Sequence, residues 1–175
     1  RGFHATTTRD IASRAGLSPA GVYVHFASKE VLLFELSRRG HERARDLLVA
    51  AADAAATPTD ALRAIIGGFS RWHAEHYELG RIVQFEFRHL RSEHRDAVLG
   101  LRKEIDQVVA GGLRGGLEPG EFAVTGGPAT ALALLSMAID VARWYAPDVR
   151  RTPEAIEATY GELAVRLVRA PAPSA

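Results

Sequence analysis

Glu86 and His89 stand three residues apart in a segment of helical periodicity. That spacing puts a carboxylate and an imidazole on one helix face, as in di-iron carboxylate bundles. A complete site of that kind needs a second Glu-x-x-His pair and two further glutamates, and no other histidine has a glutamate three residues before it. His73 and His76 repeat the helical spacing alone. The chain has no cysteine, which excludes disulfides, a thiol nucleophile and every thiolate-held zinc or iron–sulfur site. Gly111-Gly112 and Gly115-Gly116 are not followed by the Lys-Ser/Thr of a phosphate-binding loop, and no serine nucleophile stands at a recognisable spacing from its base. Catalysis, a metal site and a cofactor are therefore not expected.

The same stretch is dense in aromatic and imidazole side chains: Phe69, Trp72, His73, His76, Tyr77, Phe85, Phe87, His89 and His94. An apolar wall with a few polar groups is what a small-molecule pocket requires. At helical spacing Phe69 and Trp72 share one face, and Ile82, Phe85, Glu86 and His89 another. Phe69, Trp72, Phe85 and His89 are the candidates for lining such a cavity. Core packing of the aromatics and a solvated place for the histidines is the plainer use of the same residues.

The elements that must position these groups are helices. Apolar residues recur at helical spacing almost throughout the 175 residues, with hardly any strand-like alternation, so an all-α protein is expected. Thr57-Pro58-Thr59 opens a helix, Gly115 to Gly120 reads as the loop after one, Gly126-Gly127-Pro128 starts another, and Pro147 to Pro153 separates the last two. Residues 170–175 (APAPSA) read as a disordered tail. No apolar run approaches the ~18 residues of a membrane span. The absence of cysteine fits a reducing cytosol, and a cytoplasmic protein is expected. Residues 1–45 hold eight Lys/Arg against four Asp/Glu, while the whole chain carries only +1. A basic end on a slightly acidic body suits nucleic-acid binding.

Two short helices near the start can be read with their caps. Thr7 is an N-cap with Asp10 three residues on, and the helix over 8–15 ends at Gly16, a left-handed C-terminal position. Ser18 caps the next helix, over 19–25, and Pro19 occupies its first turn, where a missing N–H costs nothing. The small residues Ala20 and Gly21 would let the second helix approach a major groove closely.

Residues 5–33, ATTTRDIASRAGLSPAGVYVHFASKEVLL, resemble the signature of the TetR (tetracycline-repressor-like) transcriptional regulators. The shared elements are a TT-x-x-DIA helix, an AG turn, a Ser-led recognition helix ending in Tyr-x-His-Phe and a Ser-Lys-Glu helix start. The resemblance implies an N-terminal helix-turn-helix DNA-binding unit plus a larger helical ligand-binding and dimerisation bundle. It makes Thr7, Ser18, Tyr23, His25 and Lys29 phosphate anchors, turns Pro19, Ala20 and Gly21 toward base edges, and packs Ile11, Ala12, Ala15, Leu17, Val22 and Phe26 as a small core. Two departures stand out. Ala20-Gly21 replaces the family's usual Gly-Thr, and the family's first helix, which would end near Arg1-Gly2-Phe3, is expected to be absent from the chain.

The resemblance also implies double-stranded operator DNA as partner, a homodimer built on segments 127–146 and 153–169, and a small-molecule effector. Leu135, Ala138, Ile139, Ala142, Tyr160, Leu163 and Leu167 are the expected interface residues. The domains are then 1–45, a DNA-binding unit with the start of a linking helix, and 46–169, an effector and dimerisation bundle. The segment Ala142-Arg143-Trp144-Tyr145-Ala146-Pro147 resembles TetR regulators of lipid and steroid breakdown, which turns the effector toward an apolar or acyl-CoA-like molecule. Arg143 is a candidate for an anionic group or a surface charge. A helical metal- or ligand-binding protein with a non-functional helix-turn-helix is the alternative.

Overall fold

The computed structural model describes residues 2–148 and 150–169. Helices α1 (Gly2–Ala5), α2 (Thr8–Arg14) and α3 (Pro19–His25) form the N-terminal unit. The long helix α4 (Lys29–Asp53) leads into α5 (Pro58–Glu75), α6 (Tyr77–Phe85), a 3₁₀ turn (Phe87–His89), α7 (Ser92–Leu117), α8 (Gly127–Trp144) and α9 (Pro153–Val168). Among the described residues the only extended pairing is a single bridge between Phe122 and Arg169. The expected tail at 170–175 lies outside the described residues.

Side-chain caps begin α2, α3, α4, α5 and α9. Thr7, Ser18, Ser28, Thr57 and Thr152 each accept a hydrogen bond from the backbone N–H three residues on, satisfying donors that a helix start leaves unpaired. At Thr7 the box is complete, since the Asp10 carboxylate accepts the Thr7 amide at 2.8 Å. Gly16 makes the turn between α2 and α3 with φ +68°, a region open to glycine at no steric cost.

The body is built around α5, which packs against α4, α6, α7, α8 and α9. Its Leu62, Ile65, Ile66 and Phe69 join Leu48 of α4, Val109 and Leu113 of α7, Leu134 and Ala138 of α8 and Val168 of α9 in one buried core. Against α9 the backbones come close. A Cβ on Gly161 would lie 2.7 Å from the Arg63 carbonyl oxygen, and one on Gly67 2.7 Å from that of Glu157.

Two expectations are corrected here. Gly115 and Gly116 do not start a loop but lie inside α7, which continues to Leu117. Gly116 is buried there because the ring of Phe122 folds back onto it and a methyl group would collide with that ring. The first helix, expected to be absent, is represented by the turn α1. It is held because Phe3 packs on a cluster of Leu33, Leu90, Val98 and Phe87, and its carbonyl accepts from the Lys29 ammonium. α4 is unbroken across residue 45, so the expected domain limit falls inside a helix that belongs to both units.

Gly161→Ala should therefore destabilise the protein by roughly 1–3 kcal/mol through overpacking, read as a lower urea midpoint at unchanged slope.

Candidate DNA-binding surface and ligand cavity

The helix-turn-helix presents α3 outward. Pro19, Ala20, Tyr23 and His25 are exposed and Gly21 half-buried, while Val22 turns inward beside Ala12 of α2. Val24, which the sequence reading passed over, is 80% exposed on the same helix. An apolar side chain with nothing to cover it on a short helix can meet a thymine methyl in the major groove. Of the small core expected here, Ala12 and Val22 are buried and Ile11 and Phe26 half-buried, but Ala15 and Leu17 are exposed because no described element covers that side.

The polar residues of this unit have local partners. The Thr7 hydroxyl donates to Asp10 at 2.6 Å and accepts from the Asp10 amide at 3.1 Å, and the Ser18 hydroxyl accepts from the Gly21 amide at 3.0 Å. The Tyr23 hydroxyl lies 3.4 Å from the Thr8 hydroxyl and keeps its solvent face. Lys29 does not reach into solvent. Its ammonium donates to the carbonyls of Phe3 and of Thr6, the latter at 2.8 Å, and sits 4.2 Å from the Phe3 ring centroid. It holds α1 to the start of α4 and keeps one N–H in reserve.

A second set of contacts ties this unit to the body. Glu30, in the first turn of α4, accepts from the Arg91 amide at 2.9 Å, the Arg91 guanidinium at 3.1 Å and His94 at 2.8 Å. Its carboxylate thus stands at the N-terminal ends of both α4 and α7, where helix dipoles favour negative charge. Burial pushes its carboxyl up, but the Arg91 amide and the His94 and Arg91 side chains outweigh that and hold it below the usual carboxylate range. Glu86 accepts the Phe3 amide at 3.0 Å and lies 3.3 Å from His89, whose ring stacks on Phe3. The Glu-x-x-His pair therefore joins the 3₁₀ turn to α1. Among the described residues, no group of three or more His, Asp or Glu is arranged to hold a metal ion.

Between α4, α5, α6, α7 and α8 lies a cavity of about 340 Å³. Phe69 and Trp72 line it. Phe85 instead lies exposed at the surface and His89 at the junction with α1, so neither contributes to it. Their place is taken by residues the sequence reading left out, chiefly His41, Val83, Arg102, Ile105 and Ile139. His41 donates from Nδ1 to the Ser37 carbonyl at 2.7 Å and accepts at Nε2 from Arg102 Nε at 3.3 Å. His73 likewise donates to the Phe69 carbonyl at 2.9 Å. Burial pushes its imidazole down to about 4, against the pull of that hydrogen bond and with help from His41 and His76. A second cavity, of about 430 Å³ between α7 and α8, shares Asp106 and Leu135 with the first.

Of the expected interface residues, Leu135, Ala138 and Ala142 are corrected. They are buried in the chain's own core, because α8 turns that stripe toward α5 and α6. Ile139 and Tyr160 are half-buried, whereas Leu163 and Leu167 are exposed. Leu132, not anticipated, is 66% exposed on α8. Arg143 is an exposed surface charge paired with Asp140 at 2.6 Å.

A two-helix motif with an outward second helix, joined by one continuous helix to a body with a ligand-sized cavity, defines a one-component regulator architecture. Residues 1–36 match the family model of bacterial regulatory proteins of the tetR family, and residues 55–168 that of the tetracyclin repressor-like C-terminal domain. The chain belongs to the tetR family of transcriptional regulators. It is 30% identical over 167 residues, 91% of this chain and 79% of its relative, to the HTH-type transcriptional repressor KstR2 of Rhodococcus jostii (strain RHA1). The crystal structure of a tetR-family regulatory protein from Rhodococcus RHA1 superposes with a TM-score of 0.88 at 34% identity, covering 97% of this chain and 89% of that one. AibR in complex with isovaleryl coenzyme A and operator DNA shares the fold, with a TM-score of 0.81 at 22% identity over 93% of this chain and 89% of that one. Among the described residues no helix is long and apolar enough to cross a membrane.

Because His73 takes up a proton more readily unfolded than folded, the stability it carries is complete above pH 6.5 and lost as pH falls toward about 4. The thermal midpoint should decline over that window, and the decline should be shallower in His73→Gln.

Proposed function

We propose that this protein represses transcription as a homodimer on a near-palindromic operator and is released by a small apolar or acyl-type effector bound in the cavity between α4 and α8. The observation that carries this reading is α4 itself. It begins at the foot of the recognition helix and, without a break, contributes Gly40, His41 and Ala44 to the cavity wall.

On DNA, α3 enters the major groove with Pro19, Ala20, Gly21 and Val24 toward it, while Thr7, Ser18, Tyr23, His25 and the remaining N–H of Lys29 lie where phosphates pass. The anchors set affinity and its salt dependence, and the residues facing the groove set sequence choice. One recognition helix binds weakly, so a second copy supplies the other half-site. Leu132, Leu163 and Leu167, beside the small exposed residues Ala133, Ser136, Ala158 and Thr159, leave α8 and α9 with an apolar outer face suited to that copy. The apolar and aromatic lining of the cavity, and the acyl-CoA seen with AibR in the same fold, support the effector class. An effector that fits better when α4 and α7 are displaced shifts the population away from the DNA-binding arrangement.

Fragments of the source genome selected on the purified protein at two salt concentrations test this reading. A near-palindrome should be recovered, with affinity falling steeply as salt rises. Tyr23→Ala should weaken that site by about tenfold or more, and Leu163→Glu with Leu167→Glu should give monomers that no longer hold it. Recovery of no sequence in preference to another would overturn the regulator reading.

A further inference from the structure

The cavity has one charged corner. On α4 the buried stripe runs Leu33, Ser37, Ala44, Leu48, and on α7 it runs Val98, Ile105, Val109, Leu113. His41 falls four residues after Ser37 and three before Ala44, and Arg102 four after Val98 and three before Ile105. Each occupies a position on a core stripe that an apolar residue would otherwise fill, and the two meet across the helix pair. Arg102 is held in place on two sides. Its Nε–H donates to His41, and its guanidinium lies 4.2 Å from the centroid of the Phe87 ring.

What Arg102 lacks is an acceptor for its remaining donors. Among the described residues its two terminal nitrogens donate to no group, and Asp106, one turn further on and exposed, offers charge without a hydrogen bond. His41, on its other side, accepts only from Nε. A guanidinium carries five donors in a rigid fork and no acceptor. Partly withdrawn from water and facing an apolar cavity, it is matched by a planar anion that takes two parallel N–H groups. Asp106, exposed and one turn from Arg102, is the one carboxylate in the lining, and Phe69, Trp72, Leu79, Val83, Leu135 and Ile139 give the rest of the wall the apolar surface that fits the hydrocarbon body of the same molecule.

Resting on the reading of this cavity as the effector site, we infer that the effector is a compact amphiphilic acid whose carboxylate is held by Arg102, with its apolar body between α5, α6 and α8. The cavity, near the lower end of the ~300–1,000 Å³ range of small-molecule sites, suits the free acid rather than a large conjugate of it. His41 is the positioning residue: it holds the Arg102 fork from the side and adds no competing donor, since its one N–H is committed to Ser37.

The test is calorimetric titration of the full chain with straight-chain, branched and cyclic carboxylic acids of medium size, each beside its methyl ester and its coenzyme A thioester. Acids that bind should do so more than about tenfold more tightly than their esters and thioesters. In Arg102→Met that preference should vanish while the ester binds at least as well, which shows the cavity intact. His41→Phe should weaken the acid by a larger factor than the ester, because the fork of Arg102 loses its side support while the apolar wall remains. Equal binding of acid and ester, preference for the thioester, undiminished acid binding by Arg102→Met, or no acid bound at all would each overturn the inference. Operator binding of the same preparation without any ligand separates the two readings: its loss refutes the regulator, whereas its presence with no acid preference refutes only the anion site.

Discussion

The parallel packing of α4 on α7 is the constraint on which the remaining structure depends. The polar links between the two helices keep a nearly constant offset in sequence: Glu30 to Arg91, His41 to Arg102, Arg45 to Glu104. Helices joined in this way cannot slide without breaking several links together. Glu30 and His41 are eleven residues apart, about 16 Å along the axis. One end of the pair therefore holds the DNA-binding unit and the middle forms a wall of the cavity. Phe87 adds a second route, since it lies under the Arg102 guanidinium and packs in the same cluster as Phe3 and Leu33.

Around that pair the other helices have simpler duties. α5 is the centre of the body and carries the core, while α9 closes onto it at backbone distance through glycines. α6 and α8 complete the cavity wall, and Arg81 of α6 donates to the carbonyls of Ala142, Arg143 and Tyr145 at the end of α8. Such a body is close-packed around α5 and hollow between α4, α6, α7 and α8. The N-terminal unit is held to it by a few polar contacts and one small apolar cluster, so modest displacements of α4 can reorient it.

Local chemistry was the legible part of the sequence. The caps at Thr7 and Ser18, the Thr57-Pro58 start, Pro19 and the turn at Gly16 act within a few residues, and the helices start where those residues say. Periodicity found the apolar faces but not what covers them. Leu135, Ala138 and Ala142 have the same spacing whether they face a second copy or the chain's own helices, and they face α5 and α6. Phe85 and His89 are drawn into the cavity by residue type and by the spacing of one continuous helix, whereas α6 ends at Phe85 and the 3₁₀ turn follows, so that they lie at the surface and against α1. Gly116 read as a loop because the collision it avoids, with Phe122, depends on tertiary packing. His41 and Arg102 did leave a local trace, an ionisable residue on each of two stripes that otherwise carry none, but their meeting depends on the register of helices some sixty positions apart.

The coupling of cavity to DNA-binding unit through α4 and α7 is most directly tested by a double-mutant cycle on operator affinity, with Glu30→Gln at one end of the helix pair and Arg102→Met at the other. Sites this far apart with no shared partner ordinarily act additively. If the pair transmits strain, Arg102→Met changes operator affinity in the parent protein and has much less effect once Glu30 no longer grips Arg91 and His94. Two effects that simply add, each the same with or without the other, would contradict the account.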